Sequence, residues 1–325
     1  MNDCDIGFPE RIRGPSSARF GLMVVVAWTV LWSGATKAAD ASPAFTGEKT
    51  AWHGFDRYDF LMDEQSLAIE PATAGPAVSG RRRCIVVAPE RPAPGNPWSW
   101  RGCYWDHQPQ TEIELLRRGF HIAYITADFN LKPSKHWDAW YAFLTEQHGL
   151  SKKPAFIGMS RGGEYAFTWA TTHPDKVSCI YADNPGANPE VFAGLGDLAR
   201  NDVPLLLICG SIDPVLGKNA LAIEGIYQQF GGRISMMIKD GFGHHPHSLV
   251  DPQPIADFIS QSVQALGDKA PTFVGVRYHE DVLLRYSRFI PEFCEGECLH
   301  RLSRTVLHRM LRPLRVRSRR GRRTD

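Results

Sequence analysis

The sequence predicts an α/β fold: a mostly parallel central sheet with helices on both faces and a minimal cap. Three observations predict it. Short apolar runs at 84–88 (CIVVA), 121–126 (HIAYIT), 155–158 (AFIG), 178–182 (SCIYA), 205–209 (LLLIC) and 234–238 (ISMMI) have the length and near-continuous hydrophobicity of strands buried on both faces. Stretches with helical spacing lie between them, at 110–118, 136–148, 162–172 and 220–230, so strand and helix alternate as a parallel sheet requires. Only the segment 183–202 separates the fourth run from the fifth, which leaves room for a small cap at most.

The elements fall into four segments. Residues 1–41 carry Arg11, Arg13 and Arg19, an apolar run from Phe20 to Trp32 and then small residues ending in Ala39-Asp40-Ala41. That order is the pattern of a secretory signal peptide, because the run is shorter than the roughly 20 residues that span a bilayer. It predicts an exported, periplasmic or extracellular protein, an uncleaved anchor being the alternative. Residues 42–80, with Pro, Ala and Gly concentrated at 71–79, are expected to form an N-terminal flap or hairpin. Residues 81–276 hold the alternating pattern and end in a predicted helix at 252–266, where Ile255, Phe258, Ile259 and Val263 share one face. Residues 277–325 form a basic C-terminal extension.

Charge divides along the same boundaries. Residues 42–276 contain 20 Lys and Arg against 25 Asp and Glu, whereas 277–325 contain 13 against 6. A mildly acidic body gives no electrostatic basis for nucleic-acid binding. The arginine-rich end, with Leu299, Leu302, Val306 and Met310 at helical spacing, offers a weak surface contact at most, a dispensable extension being the plainer reading. Cys84, Cys179 and Cys209 sit in apolar runs and are expected to be buried thiols, while Cys294 and Cys298 lack the spacing of a zinc site.

The chemistry concentrates in three loops. Gly158-Met159-Ser160-Arg161-Gly162 matches G-x-S-x-G between a strand-like and a helix-like segment. Its glycines permit a cramped turn that projects the Ser160 hydroxyl and frees the next backbone N–H. A serine hydroxyl needs a base in hydrogen-bond reach and an orienting acid behind it. Asp213, in the loop after run 205–209, is the expected acid, with Asp183 as the fallback. His244, after the last run, is the expected base, with His245 and His247 as rivals and His245 as a possible substrate contact. The neighbouring imidazoles could instead form a metal-binding tract, but no carboxylate-rich ligand set lies near them in the chain, so no metal and no cofactor is expected.

The Arg161 N–H is the first expected oxyanion donor. The second is placed after run 84–88, where Pro89 has no N–H and Glu90 is therefore the candidate, with Arg91 beside it. The segment 92–106 (PAPGNPWSWRGCYWD) is read as a loop whose aromatic residues, Trp98 and Trp100 foremost, either form a stacking platform for sugar rings with Arg101 as a polar contact or simply pack onto the body.

With these motifs in order, the chain resembles the α/β-hydrolase superfamily across 80–266. PGNPWSWR, SRGGEYAFTWA, IYADNP and GHHPHSL resemble exported hydrolases related to its prolyl-oligopeptidase-like and acetylxylan-esterase-like branches. The sequence departs from the common Gly-Asp-x-Asp acid loop at Ser211 and lacks a His-Gly oxyanion pair. The resemblance implies the α/β-hydrolase fold and a serine hydrolase of carboxylesterase type. The expected substrate is a small-molecule or polysaccharide ester, above all an acylated carbohydrate. A serine peptidase of the same fold and a non-catalytic glycan-binding module are the alternatives.

Overall fold

The computed structural model describes residues 45–76, 78–127 and 133–264. Residues 1–41, expected as a signal peptide, the Cys294/Cys298 pair and the basic extension lie outside the described residues. Among the described residues ten strands form one sheet: β1 Lys49–Trp52, β2 Phe55–Asp63, β3 Ile69–Ala72, β4 Arg81–Ala88, β5 Trp98–Arg101, β6 His121–Ile125, β7 Ala155–Met159, β8 Cys179–Asp183, β9 Leu205–Gly210 and β10 Ile234–Lys239. Their order is β1-β2-β4-β6-β5-β7-β8-β9-β10, with β3 pairing β2. Strands β6, β5, β7, β8, β9 and β10 are mutually parallel, and β4 runs antiparallel to β6. Residues 42–80, expected as a flap or hairpin, contribute β1 to β3 to the antiparallel side of this same sheet.

Alternation along each strand explains why both faces are covered. Cys84 and Val86 enter one core while Ile85 and Val87 enter the other, and Leu205, Leu207 and Cys209 part from Leu206 and Ile208 in the same way. Helices α1 (Gln110–Arg117) and α6 (Gln253–Gln264) close one face with Leu115, Leu116, Ile255, Phe258 and Ile259. Helices α2 (Lys135–Ala142), α3 (Arg161–Thr172), α4 (Pro189–Arg200) and α5 (Ala222–Gln229) close the other with Trp137, Trp140, Tyr165, Leu195, Leu198 and Tyr227. Side-chain caps start two of them: Ser134 Oγ accepts from the His136 N–H, and Asn188 Oδ1 from the Val191 N–H. Among the described residues no helix is long and apolar enough to cross a membrane.

The segment read as an aromatic loop contains a central strand. Trp98, Ser99, Trp100 and Arg101 form β5, all buried, between β6 and β7. Trp100 stacks on Trp137 and Phe156 at ring distances of 4.7 and 5.3 Å, and Trp98 lies 5.4 Å from Trp100 while its indole N–H donates to the Ser151 carbonyl. The sugar-stacking role expected of Trp98 and Trp100 is therefore corrected. Their rings fill the core, where each contributes apolar burial worth about 3 kcal/mol or more.

Candidate active site

The three loops with chemical motifs leave the same end of the sheet, because β7, β9 and β10 are parallel and each loop follows a strand's carboxyl end. Ser160 sits between β7 and α3 with φ 52° and ψ −120°, a left-handed conformation that is costly for a residue with a side chain. Packing fixes it there. A Cβ on Gly158 would come within 2.5 Å of the Gly162 carbonyl oxygen, and one on Gly163 within 2.8 Å of Pro185. Only glycine lets the strand and helix approach this closely. The Ser160 N–H donates to the Asp183 carbonyl at 2.9 Å, and its own carbonyl accepts from the Gly163 and Gly186 N–H groups.

The side chains of Ser160, His244 and Asp213 form a continuous chain. His244 Nε2 lies 2.9 Å from Ser160 Oγ, and His244 Nδ1 lies 2.7 Å from Asp213 Oδ2. An ionised carboxylate only accepts, so the ring proton sits on Nδ1 and Nε2 is left to accept from the serine hydroxyl. Asp213 is 1% exposed and its other oxygen accepts from the Val215 N–H at 2.9 Å, whereas the His244 side chain is 34% exposed. Asp213 is thus held in the interior while the His244 ring opens to solvent.

Asp183, the alternative acid, faces a different histidine. It is fully buried, accepts from the Tyr181 hydroxyl and the Ser248 N–H, and lies 3.2 Å from His247 Nδ1 and 3.3 Å from Lys239 Nζ. Lys239 also donates to the Pro246 carbonyl at 2.6 Å. Next to it, the Asn184 side chain donates to the His244 carbonyl and accepts from the Gly210 N–H, tying the base loop to the acid loop. Residues 183–184 thus clamp the loop that carries His244. Sequence reading missed Asn184; the one available signal was its position directly after a strand on the same sheet end.

Two oxyanion assignments fare differently. The Arg161 N–H lies in the first turn of α3, where amides have no intrahelical acceptor and the helix dipole favours developing negative charge. Glu90 is corrected: it follows β4, which runs opposite to β6, so Glu90 stands at the far end of the sheet from Ser160. The strand that delivers a loop beside the elbow is β5. Its continuation, Gly102-Cys103, packs so closely on α3 that a Cβ on Gly102 would lie 2.4 Å from the Gly162 carbonyl oxygen, and one on Gly162 would lie 3.0 Å from the Cys103 nitrogen.

Arg101 is also corrected, from substrate contact to internal brace. It is 1% exposed, pairs with buried Glu112, and donates to the carbonyls of Cys103, Tyr104 and His107. One guanidinium therefore fixes the whole turn after β5, within which Tyr104 stays exposed. The same turn brings His107 beside His245 and His247, their ring nitrogens lying within 4.8 Å of one another. His245 is exposed at this rim, its ring 5.1 Å from that of His244. Cys84, Cys179 and Cys209 are buried free thiols, and burial pushes Cys179 up to about 12.

No family model matches the chain, and no curated protein matches it. Among solved structures it is similar to a PEG-bound cold-adapted esterase from an Arctic intertidal metagenomic library, with a TM-score of 0.47 and 12% identity over 70% of this chain and 100% of that one. It is also similar to an S-formylglutathione hydrolase from Agrobacterium tumefaciens (TM-score 0.45, 14% identity, 69% and 99% covered) and to a ferulic acid esterase (TM-score 0.40, 14% identity, 57% and 93% covered). Its own strand order, the antiparallel strand β4 joined to the parallel set from β6 to β10, and its serine elbow after β7 give the chain the α/β-hydrolase fold.

Proposed function

We propose that the protein is a serine hydrolase that cleaves carboxylic esters through an acyl-enzyme, with Ser160 as nucleophile, His244 as base and Asp213 as orienting acid. The unbroken series Ser160 Oγ, His244 Nε2, His244 Nδ1, Asp213 Oδ2 carries this reading. As Ser160 Oγ attacks the ester carbonyl, its proton passes to His244 Nε2, and Asp213 stabilises the imidazolium. The carbonyl oxygen becomes an oxyanion at the α3 N-terminus, where the Arg161 N–H and an amide of the turn after Gly102 serve as donors. His244 then gives its proton to the departing alcohol, and water repeats the sequence to release the acid.

An exported enzyme acting on an acylated carbohydrate is the substrate reading we carry forward. Burial of Trp98 and Trp100 removes the aromatic platform that favoured it; Tyr104, on the turn after β5, is exposed. The test is a panel of p-nitrophenyl esters, acetylated and feruloylated oligosaccharides and peptides, run with fluorophosphonate labelling. The expected result is ester turnover with label on Ser160, both abolished in Ser160→Ala. Labelling that survives this substitution, or peptide cleavage without ester cleavage, would refute the assignment.

A further inference from the structure

Among the described residues, one set of three metal-ligating side chains converges, and it lies outside the Ser160–His244–Asp213 series: His107, His245 and His247. Two loops supply it. His107 stands on the turn after β5, which Arg101 braces by donating to the His107 carbonyl at 2.5 Å. His245 and His247 stand on the loop after β10, and the His247 N–H donates to Gln108 Oε1 at 2.6 Å, joining that loop to the first. The three rings pack edge to face, with centroids 4.7 to 6.2 Å apart.

The arrangement has the parts of a metal site. His247 is buried and its Nδ1 rests against Asp183, so a carboxylate fixes the ring and leaves Nε2 for a ligand bond, the usual outer partner of a metal-bound imidazole. Lys239, also on Asp183, fixes that carboxylate in turn. His107 and His245 are exposed, and closure around an ion requires their rings to turn inward. Metal–nitrogen bonds of about 2.0 to 2.1 Å demand ring nitrogens roughly 3.3 Å apart, a contraction that side-chain rotation supplies. An all-imidazole set suits zinc, copper or nickel rather than magnesium or calcium, and three protein ligands leave a tetrahedral ion one open position.

We propose that His107, His245 and His247 bind one zinc-class divalent ion at the rim of the serine site. This inference does not rest on the ester-hydrolase reading, since the ligand set is complete without Ser160 or His244. The earlier exclusion of a metal tract weighed only neighbours in the chain, and His107 enters only through the fold.

The experiment uses zinc and cobalt(II) salts alone with the full-length chain. Calorimetric titration with zinc is expected to show one site in wild type and in Ser160→Ala that is absent from the double variant His107→Ala/His245→Ala, with affinity reduced by more than about 100-fold, beyond the loss typical of an outer-partner mutation. Cobalt is expected to give the intense visible absorption of a tetrahedral ion, also lost in the double variant. Both replaced side chains are exposed, and near-UV circular dichroism checks that the variant is folded. Equal metal uptake and an equal cobalt spectrum in wild type and double variant would overturn the proposal, as would no uptake by wild type or loss of the site in Ser160→Ala.

Discussion

His244 and His247 stand three positions apart, each with Nδ1 against an aspartate, and their rings are 5.0 Å apart. Their surroundings differ completely. The His244 side chain is 34% exposed against a buried Asp213, while His247 is 2% exposed against a fully buried Asp183 that also receives a lysine, a tyrosine hydroxyl and a backbone N–H. An imidazole beside a carboxylate is therefore not enough to make a base. The ring must keep its second nitrogen directed at a reachable hydroxyl, and the carboxylate must be able to answer the imidazolium charge. Asp213 faces the His244 ring, whereas Asp183 faces both His247 and Lys239. On the proposed mechanism the first pair passes a proton, while the second ties down the loop after β10.

The sharpest way to break this comparison is to neutralise each acid in turn. Asp213→Asn leaves the volume unchanged but favours the wrong histidine tautomer, so kcat is expected to fall by about 10⁴-fold with the protein still folded. Asp183→Asn deprives half-buried Lys239 and buried His247 of their anion and is expected to cost about 3 to 5 kcal/mol of stability. In the folded fraction its kcat should fall by less than about 10-fold, because His244 keeps Asp213. Denaturant titration and ester kinetics on both variants decide the matter. A drop of kcat in Asp183→Asn equal to that in Asp213→Asn, without loss of stability, would exchange the two roles.

A second lever is Arg101, whose turn packs on the serine elbow at Gly162 and carries His107 beside His247. Arg101→Met leaves Glu112 buried without its cation and is expected to destabilise the protein by about 3 to 5 kcal/mol. It also frees the Gly102–His107 turn, so loss of an oxyanion donor should lower kcat by up to about 100-fold. Adding Glu112→Gln separates the effects: stability should recover in part while kcat stays low. If kcat returns with stability, the turn supplies no donor and Arg101 is a brace of the fold alone.

What the sequence made legible follows from the range of each signal. Ser160, Asp213 and His244 were readable because each sits in a local signature, a cramped glycine turn or a strand-to-loop exit, and all three depend on strands with the same direction. Glu90 was misplaced because its strand exit looks identical in sequence while β4 points the other way, and direction is a property of the sheet. Strand β5 was hidden because Trp-Ser-Trp-Arg is short, follows a proline-rich stretch and ends in an arginine, so its aromatics read as surface. Burying Arg101 requires Glu112, eleven positions on, and that pairing became visible only with the fold. His107 was overlooked for the same reason.

The smallest expected effect uses a third histidine as the control for the two pairs. His121 opens β6 at 2% exposure, and no carboxylate is among the groups that act on it. Burial lowers its pKa from 6.5 to about 4. Above pH 6.5 the ring is neutral in both the folded and the unfolded chain and has no linkage effect. Between about pH 6.5 and 4 the unfolded chain binds a proton that the folded one refuses, so stability is lost as pH falls through that window. The slope is about 1.4 kcal/mol per pH unit at most, on the order of 3 kcal/mol in total. His121→Leu should flatten the stability–pH curve there relative to wild type, as measured by urea unfolding at intervals from pH 7 to 4. Equal slopes in wild type and His121→Leu would mean that the buried ring finds a partner when protonated, and the contrast between paired and unpaired histidines would have to be redrawn.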